Sequence, residues 1–177
     1  NNSVGIGCGV YLPEQRLHVK HSAADGNNGI LIQNSSTDIS DGDLLGAIGF
    51  DSSDGNTPSS MLEASAYIAA YAAEQHGIAD KGGDLAFGLS AVNEDDDTVS
   101  TEHMRLLSNG RLGLGCTDPK NSMEIRHSAG DGDNGLLIIR DDTTTADGNL
   151  LGGIGFDSTD GNVPSECDQA AAYIAAY

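Results

Sequence analysis

Apolar residues in this chain come in short runs, some alternating with polar residues and some continuous, separated by clusters of Gly, Asn, Asp and Ser. That punctuation predicts many brief strands and an all-β fold. Leu17-His-Val-Lys-His21 alternates apolar and polar as a half-buried strand does. Met104–Leu107 and Leu112–Gly115 flank Ser-Asn109-Gly110-Arg, and Asn-Gly between two apolar runs predicts a hairpin whose type I′ turn holds both residues at positive φ. Further strands are expected at Gly29–Gln33, Leu45–Phe50 and Asp84–Ala91. Ala64–Glu74 reads two ways. Alanine favours helix by propensity, but as a strand the same small residues would let neighbouring backbones approach.

Self-comparison organises these elements. His21-Ser-Ala-Ala-Asp-Gly-Asn-Asn-Gly-Ile-Leu-Ile32 returns as His127-Ser-Ala-Gly-Asp-Gly-Asp-Asn-Gly-Leu-Leu-Ile138, and Ala66-Tyr-Ile-Ala-Ala-Tyr71 as Ala172-Tyr-Ile-Ala-Ala-Tyr177. From Pro13 onward the register holds at a period of roughly 106 residues, above the range of short solenoids. The expected organisation is a first repeat over 1–111, complete from about Val4, and a second over 112–177 that stops part-way. The chain opens at Asn1 without an initiator methionine, so the expectation is a segment of something longer. A module strung along a fibre fits this period, and near-identical copies argue against a single catalytic pocket.

Composition explains why such a module would need partners. Leu, Ile, Val and Phe make up only about a fifth of the chain, close to where chains cease to fold alone. There is no Trp, and 24 glycines add ordering entropy. A core gained by packing against other chains resolves the shortage. The formal charge of −19, from 27 acids against eight Lys and Arg, excludes nucleic acid and anionic membrane surfaces as natural partners. No apolar run is long enough to span a bilayer.

Candidate chemistry is sparse. Cys8, Cys116 and Cys167 show no CxxC or Cys/His spacing for zinc, and as an odd number they close no disulfide framework. Asp25–Gly29, Asp41–Asp43, Asp51–Asn56 and their second copies suggest calcium by composition. They lack the calcium-loop spacing, so turn chemistry is the expectation, with Asp and Asn bonding their own backbone and Gly taking positive φ. Glu94–Asp97 reads as a solvated loop tip. His18 and His21 lie three apart, which would send them to opposite faces of a regular strand and leave no paired metal ligands. No nucleophile elbow, phosphate loop or zinc-helix motif is present. No catalytic residue, cofactor or metal is therefore assigned. Carboxylate pairs for glycoside hydrolysis would need a groove and sugar-stacking aromatics. The clustered aromatics, Tyr67, Tyr71, Tyr173 and Tyr177, are the weak candidates for receptor or glycan contact, with packing as the alternative.

Thr101-Glu-His-Met-Arg-Leu-Leu-Ser-Asn-Gly-Arg-Leu-Gly-Leu-Gly115, followed by Pro119 and Met123-Glu-Ile125, resembles a recurring element of phage and large-virus tail fibres. Val4–Gly7, Pro13 and Leu17-His-Val19 resemble its latter half, and Gly82–Phe87 the strand before it. The resemblance implies a non-catalytic homotrimeric fibre with interleaved strands, extracellular and virion-borne, linking a virion to a host receptor. It also turns Ala64–Glu74 toward strand. Glycine alternating with Val, Ile or Leu in Val4–Gly7 would let three backbones meet near an axis. Cys8 and Cys116 depart from the pattern, standing where Thr is usual. A receptor- or glycan-binding module, a cellular surface filament and a polysaccharide-degrading tailspike are the alternative readings.

Overall fold

The computed structural model describes residues 3–8, 12–22, 29–52, 57–95, 97–128, 130, 135–158 and 164–177. Among the described residues the regular structure is all-β apart from one 3₁₀ turn at Cys167–Gln169. Among the described residues, no helix is long and apolar enough to cross a membrane. Two compact units form, Asn1–Arg126 and His127–Tyr177.

In the first unit, β1 (Val4–Ile6) pairs in parallel with β2 (Leu17–Val19). A six-stranded sheet then runs in chain order through β3 (Leu44–Phe50), β4 (Ala66–Ala72), β5 (Gly83–Leu89), β6 (Thr101–Leu106), β7 (Leu112–Leu114) and β8 (Met123–Ile125). Its ladders are antiparallel except β7–β8, which is parallel. The second unit holds β9 (Gly152–Phe156) paired antiparallel with β10 (Ala172–Ala176).

The alanine-rich stretch is thus a strand, held on both sides. Tyr67 faces Gly49 on β3 and Gly88 on β5, so every alanine between the tyrosines sits in a ladder. Propensity for helix loses here to pairing on two edges. The β6–β7 hairpin forms as expected, with a different turn. Leu107 donates to the Arg111 carbonyl at 2.9 Å and Gly110 to the Leu107 carbonyl at 2.8 Å, and Gly110 alone takes positive φ, at 82°. This is a type I turn closed by a left-handed glycine. Asn109 accepts from the Arg111 amide through its side chain instead of taking positive φ itself.

One expected strand is missing. Gly29–Gln33 forms no ladder, and Ile30 and Leu31 stand exposed. The segment is tied to β3 by side chains. Ile32 lies over Gly46, and the Asn34 amide donates to the Leu44 carbonyl at 2.9 Å. The segment lies beside the outer edge of β3, the end strand of the sheet, and is held there by these side-chain contacts without a backbone ladder.

Turn chemistry holds at 40–43. Asp43 accepts from the Ser40 amide at 2.8 Å while Gly42 takes a φ of 86°. At 146–149 Asn149 and Gly148 do the same work, with Ala146 as donor. The expected turns at Asp25–Gly29 and Asp51–Asn56, and their second copies, fall largely outside the described residues.

Candidate functional site

The six-stranded sheet has two unlike faces, and the contrast follows from side-chain alternation along each strand. One face carries Tyr67, Ala69 and Tyr71 from β4, Asp84, Ala86 and Gly88 from β5, and Glu102 and Arg105 from β6. Tyr67 is 4% exposed and Ala86 fully buried. Residues 61–64 cover this side, with Ala64 and Met61 against Gly49. Buried Ser100 fixes the cover by donating twice, from its hydroxyl to the Ala64 carbonyl at 2.6 Å and from its amide to the Leu62 carbonyl at 2.9 Å.

Within the covered face, Arg105 holds two acids. It meets Glu102 through two bonds of 2.6 and 2.7 Å and Asp84 at 3.4 Å. Asp84 also accepts the Ser108 amide at 2.8 Å. The guanidinium stacks 4.8 Å from the centre of the Tyr71 ring. Burial, then the neighbouring Tyr71 and Glu102, pushes the Tyr67 hydroxyl up to about 12. Tyr71 is raised by burial and by Glu102. The hydrogen bonds to Glu102 hold the Arg105 proton more tightly than usual.

Glu102 and Arg105 share a face although they lie three residues apart. His103 has no cross-strand partner on β5, where the register passes from Phe87↔Met104 to Gly88↔Glu102. That bulge shifts the alternation by one and brings the acid beside the base. Without it the two side chains would point to opposite sides.

The other face is open and apolar. Ile48 and Phe50 of β3, Ile68 of β4, Leu85, Phe87 and Leu89 of β5, Met104 and Leu106 of β6, and Leu112, Leu114, Met123 and Ile125 at the far edge all lie on it. Phe50 is 55% exposed and Leu89 52%. A sheet that buries its polar side and exposes its apolar side inverts the usual order. An exposed contiguous patch of this kind marks an interaction surface. In the second unit, Ile154, Phe156 and Ile174 are likewise exposed.

Two solved structures of the carboxy-terminal domain of the bacteriophage T5 L-shaped tail fibre are similar to this chain. One is 19% identical, covers 54% of this chain and 35% of its own length, and has a TM-score of 0.45. The other includes the intramolecular chaperone domain, is 18% identical, covers 81% of this chain and 48% of its own length, and has a TM-score of 0.48. The chain therefore spans less than half of either structure. No protein-family model and no curated protein matches it.

The tyrosines fall into two situations. Tyr67 and Tyr71 are taken up by the covered face, whereas Tyr173 is 46% and Tyr177 59% exposed on the two-stranded second unit. The cysteines are free, with Cys8 and Cys116 buried beside Gly5 and Gly113 in their respective parallel strand pairs. Among the described residues, no three His, Cys, Asp or Glu side chains gather as a metal site would require. His76 is engaged with the Gly82 carbonyl at 2.9 Å. The Asp84–Glu102–Arg105 cluster escaped the sequence reading because regular alternation separates its members. The signal available was a lone arginine between Met104 and Leu106 with an acid three residues before it.

Proposed function

We propose that this chain is a non-catalytic segment of a phage-type tail fibre, in which three copies pack their open sheet faces together about a common axis. The open apolar face of the six-stranded sheet carries this reading. Among the described residues the buried apolar side chains are chiefly alanine and cysteine with Ile39 and Tyr67, while the Ile, Leu and Phe side chains of the open face stay in contact with water. Fully burying one such side chain is worth about 1.5–3 kcal/mol relative to exposure. Removing the remaining half-exposure of a dozen across the sheet supplies the stability that the composition withholds from a single copy.

Threefold symmetry comes from the sequence resemblance to trimeric fibres, carried by Thr101–Gly115 and Val4–Gly7. The place of action is extracellular, on the virion, and the partner beyond the fibre itself is a host receptor or surface glycan. Arg105 neutralises the paired acids of the covered face, which suits a structural cluster better than general acid–base work. Tyr67 and Tyr71 act as packing residues in this scheme.

The test is to place a charge on the open face. Phe87→Asp or Leu85→Asp should turn an assembled chain into single copies, and Lys120→Ala on the exposed surface should leave assembly intact. Assembly indifferent to Phe87→Asp and Leu85→Asp would dismiss the open face as the interface.

A further inference from the structure

The two parallel strand pairs are alike in register but differ in what lies beside them. Val4↔Leu17, Gly5↔His18 and Ile6↔Val19 in β1–β2 correspond to Leu112↔Met123, Gly113↔Glu124 and Leu114↔Ile125 in β7–β8. Val4 donates to the Arg16 carbonyl at 2.7 Å and Lys20 to that of Ile6 at 2.9 Å. Leu112 and Arg126 make the equivalent bonds to Ser122 and Leu114. In both pairs the closing glycine has a left-handed backbone, with φ of 74° at Gly7 and 71° at Gly115. A side chain at either would collide with the carbonyl of Lys20 or Arg126.

The difference is the outer edge. On β7 that edge is taken by β6. Arg105 pairs with Gly113, Gly115 donates to the His103 carbonyl at 2.8 Å, and Leu107 donates to that of Arg111. On β1 the equivalent groups point outward. Val4 and Ile6 turn their backbone groups toward β2, so the Gly5 amide and carbonyl face away, and neither they nor the Gly7 amide has a partner among the described residues. Burial follows the same contrast. Gly113 is buried and Leu112 and Leu114 are half-buried, whereas Gly5 is exposed, Val4 is 59% exposed and Ile6 56%. An open strand edge of this kind is a template for strand addition.

We propose that the outer edge of β1 receives a β6-type strand from a repeat directly ahead of it, as β7 receives β6 within this chain. The incoming strand runs antiparallel and places apolar side chains opposite Val4 and Ile6, where Met104 and Leu106 stand opposite Leu114 and Leu112. A residue in the position of Arg105 stands opposite Gly5, as Arg105 stands opposite Gly113. Within this chain β6 is occupied on both edges, by β5 and β7, so it cannot serve β1. The assignment rests on the reading of repeats strung along a fibre. It makes each junction a continuous sheet with no linker between repeats.

The experiment places a copy of Ser100–Arg111 directly ahead of Val4 in the full chain and follows backbone amide exchange. Tethering gives the added strand a millimolar effective concentration, so weak affinity does not hide pairing. Exchange at Gly5 and Gly7 should slow roughly tenfold or more, with Gly113 and Gly115 unchanged as a check on folding. The same extension carrying Arg105→Pro in the added strand should restore fast exchange, because proline removes the ladder donor. Gly5 and Gly7 exchanging as in the unextended chain would overturn the assignment. Protection of both in the unextended chain at high concentration would overturn it too, by giving the edge to a second chain. Either failure is separate from that of the open-face interface, which is read from assembly after Phe87→Asp.

Discussion

The hydroxyl end of the Tyr67 ring lies against Gly88 on the neighbouring strand, so close that a methyl group at position 88 would run into the ring. The contact is cross-strand, since Tyr67 and Gly88 are direct partners of the β4–β5 ladder. Glycine is needed there for space, and the ring fills what a side chain would have occupied.

Gly88→Ala should therefore destabilise the fold by about 1–3 kcal/mol, the usual range for overpacking a closed site. Gly83→Ala, in the same strand, should be close to neutral, because its new methyl would meet only the Tyr71 carbonyl at 3.7 Å. Urea midpoints of the two variants compare the sites directly. Equal midpoints would mean that the ring moves aside without cost.

Arg105 is the single cation between two acids on a largely buried face, with side-chain exposures of 17% for Arg105, 9% for Asp84 and 14% for Glu102. Removing it leaves both carboxylates uncompensated. Arg105→Met should cost about 3–5 kcal/mol, and Glu102→Gln in the same chain should recover part of that loss. A double-mutant cycle reads the coupling, and additive losses would show that the pair does not act together.

The raised Tyr67 hydroxyl predicts an alkaline weakness. An exposed tyrosine titrates near 10 and Tyr67 near 12, so between these values the unfolded chain gives up its proton first. The stabilisation tied to neutral Tyr67 is complete below pH 10 and is lost as pH rises toward 12, to the extent of about 1–3 kcal/mol. Tyr67→Phe should flatten this part of the stability profile. An unchanged profile in that variant would place the alkaline loss elsewhere.

Charge should oppose assembly. Each copy brings a formal −19 to the fibre, and screening shortens the Debye length from about 30 Å at 0.01 M to about 8 Å at 0.15 M salt. Association should strengthen over that range. Weakening with salt would point to ion pairs between copies in place of apolar faces.

Much of this architecture was legible in the sequence because it depends on local pattern. The hairpin at Asn109-Gly110 follows from turn residues between apolar runs, and the strand periods place most ladders within a residue or two. What escaped depends on partners distant in the chain. Gly29–Gln33 looks like a strand, yet it meets the outer edge of β3 through side chains, with Ile32 over Gly46 and Asn34 on the Leu44 carbonyl, and forms no ladder there. Ala66–Ala72 was ambiguous because alanine has no strong local preference for a ladder; β3 and β5 decide it. The ion cluster required the bulge at His103, a feature of cross-strand register that no single strand reveals. The parallel pairing of β7 with β8 likewise follows from the fold of 115–122 and not from either strand's composition.

The decisive measurement is sedimentation equilibrium of the full chain across a concentration series at physiological salt. A stable species of three times the 18.2 kDa chain mass is expected, falling to one chain mass in Phe87→Asp. A well-folded single chain at every concentration would contradict the proposed assembly and leave the open face of the sheet without its partner.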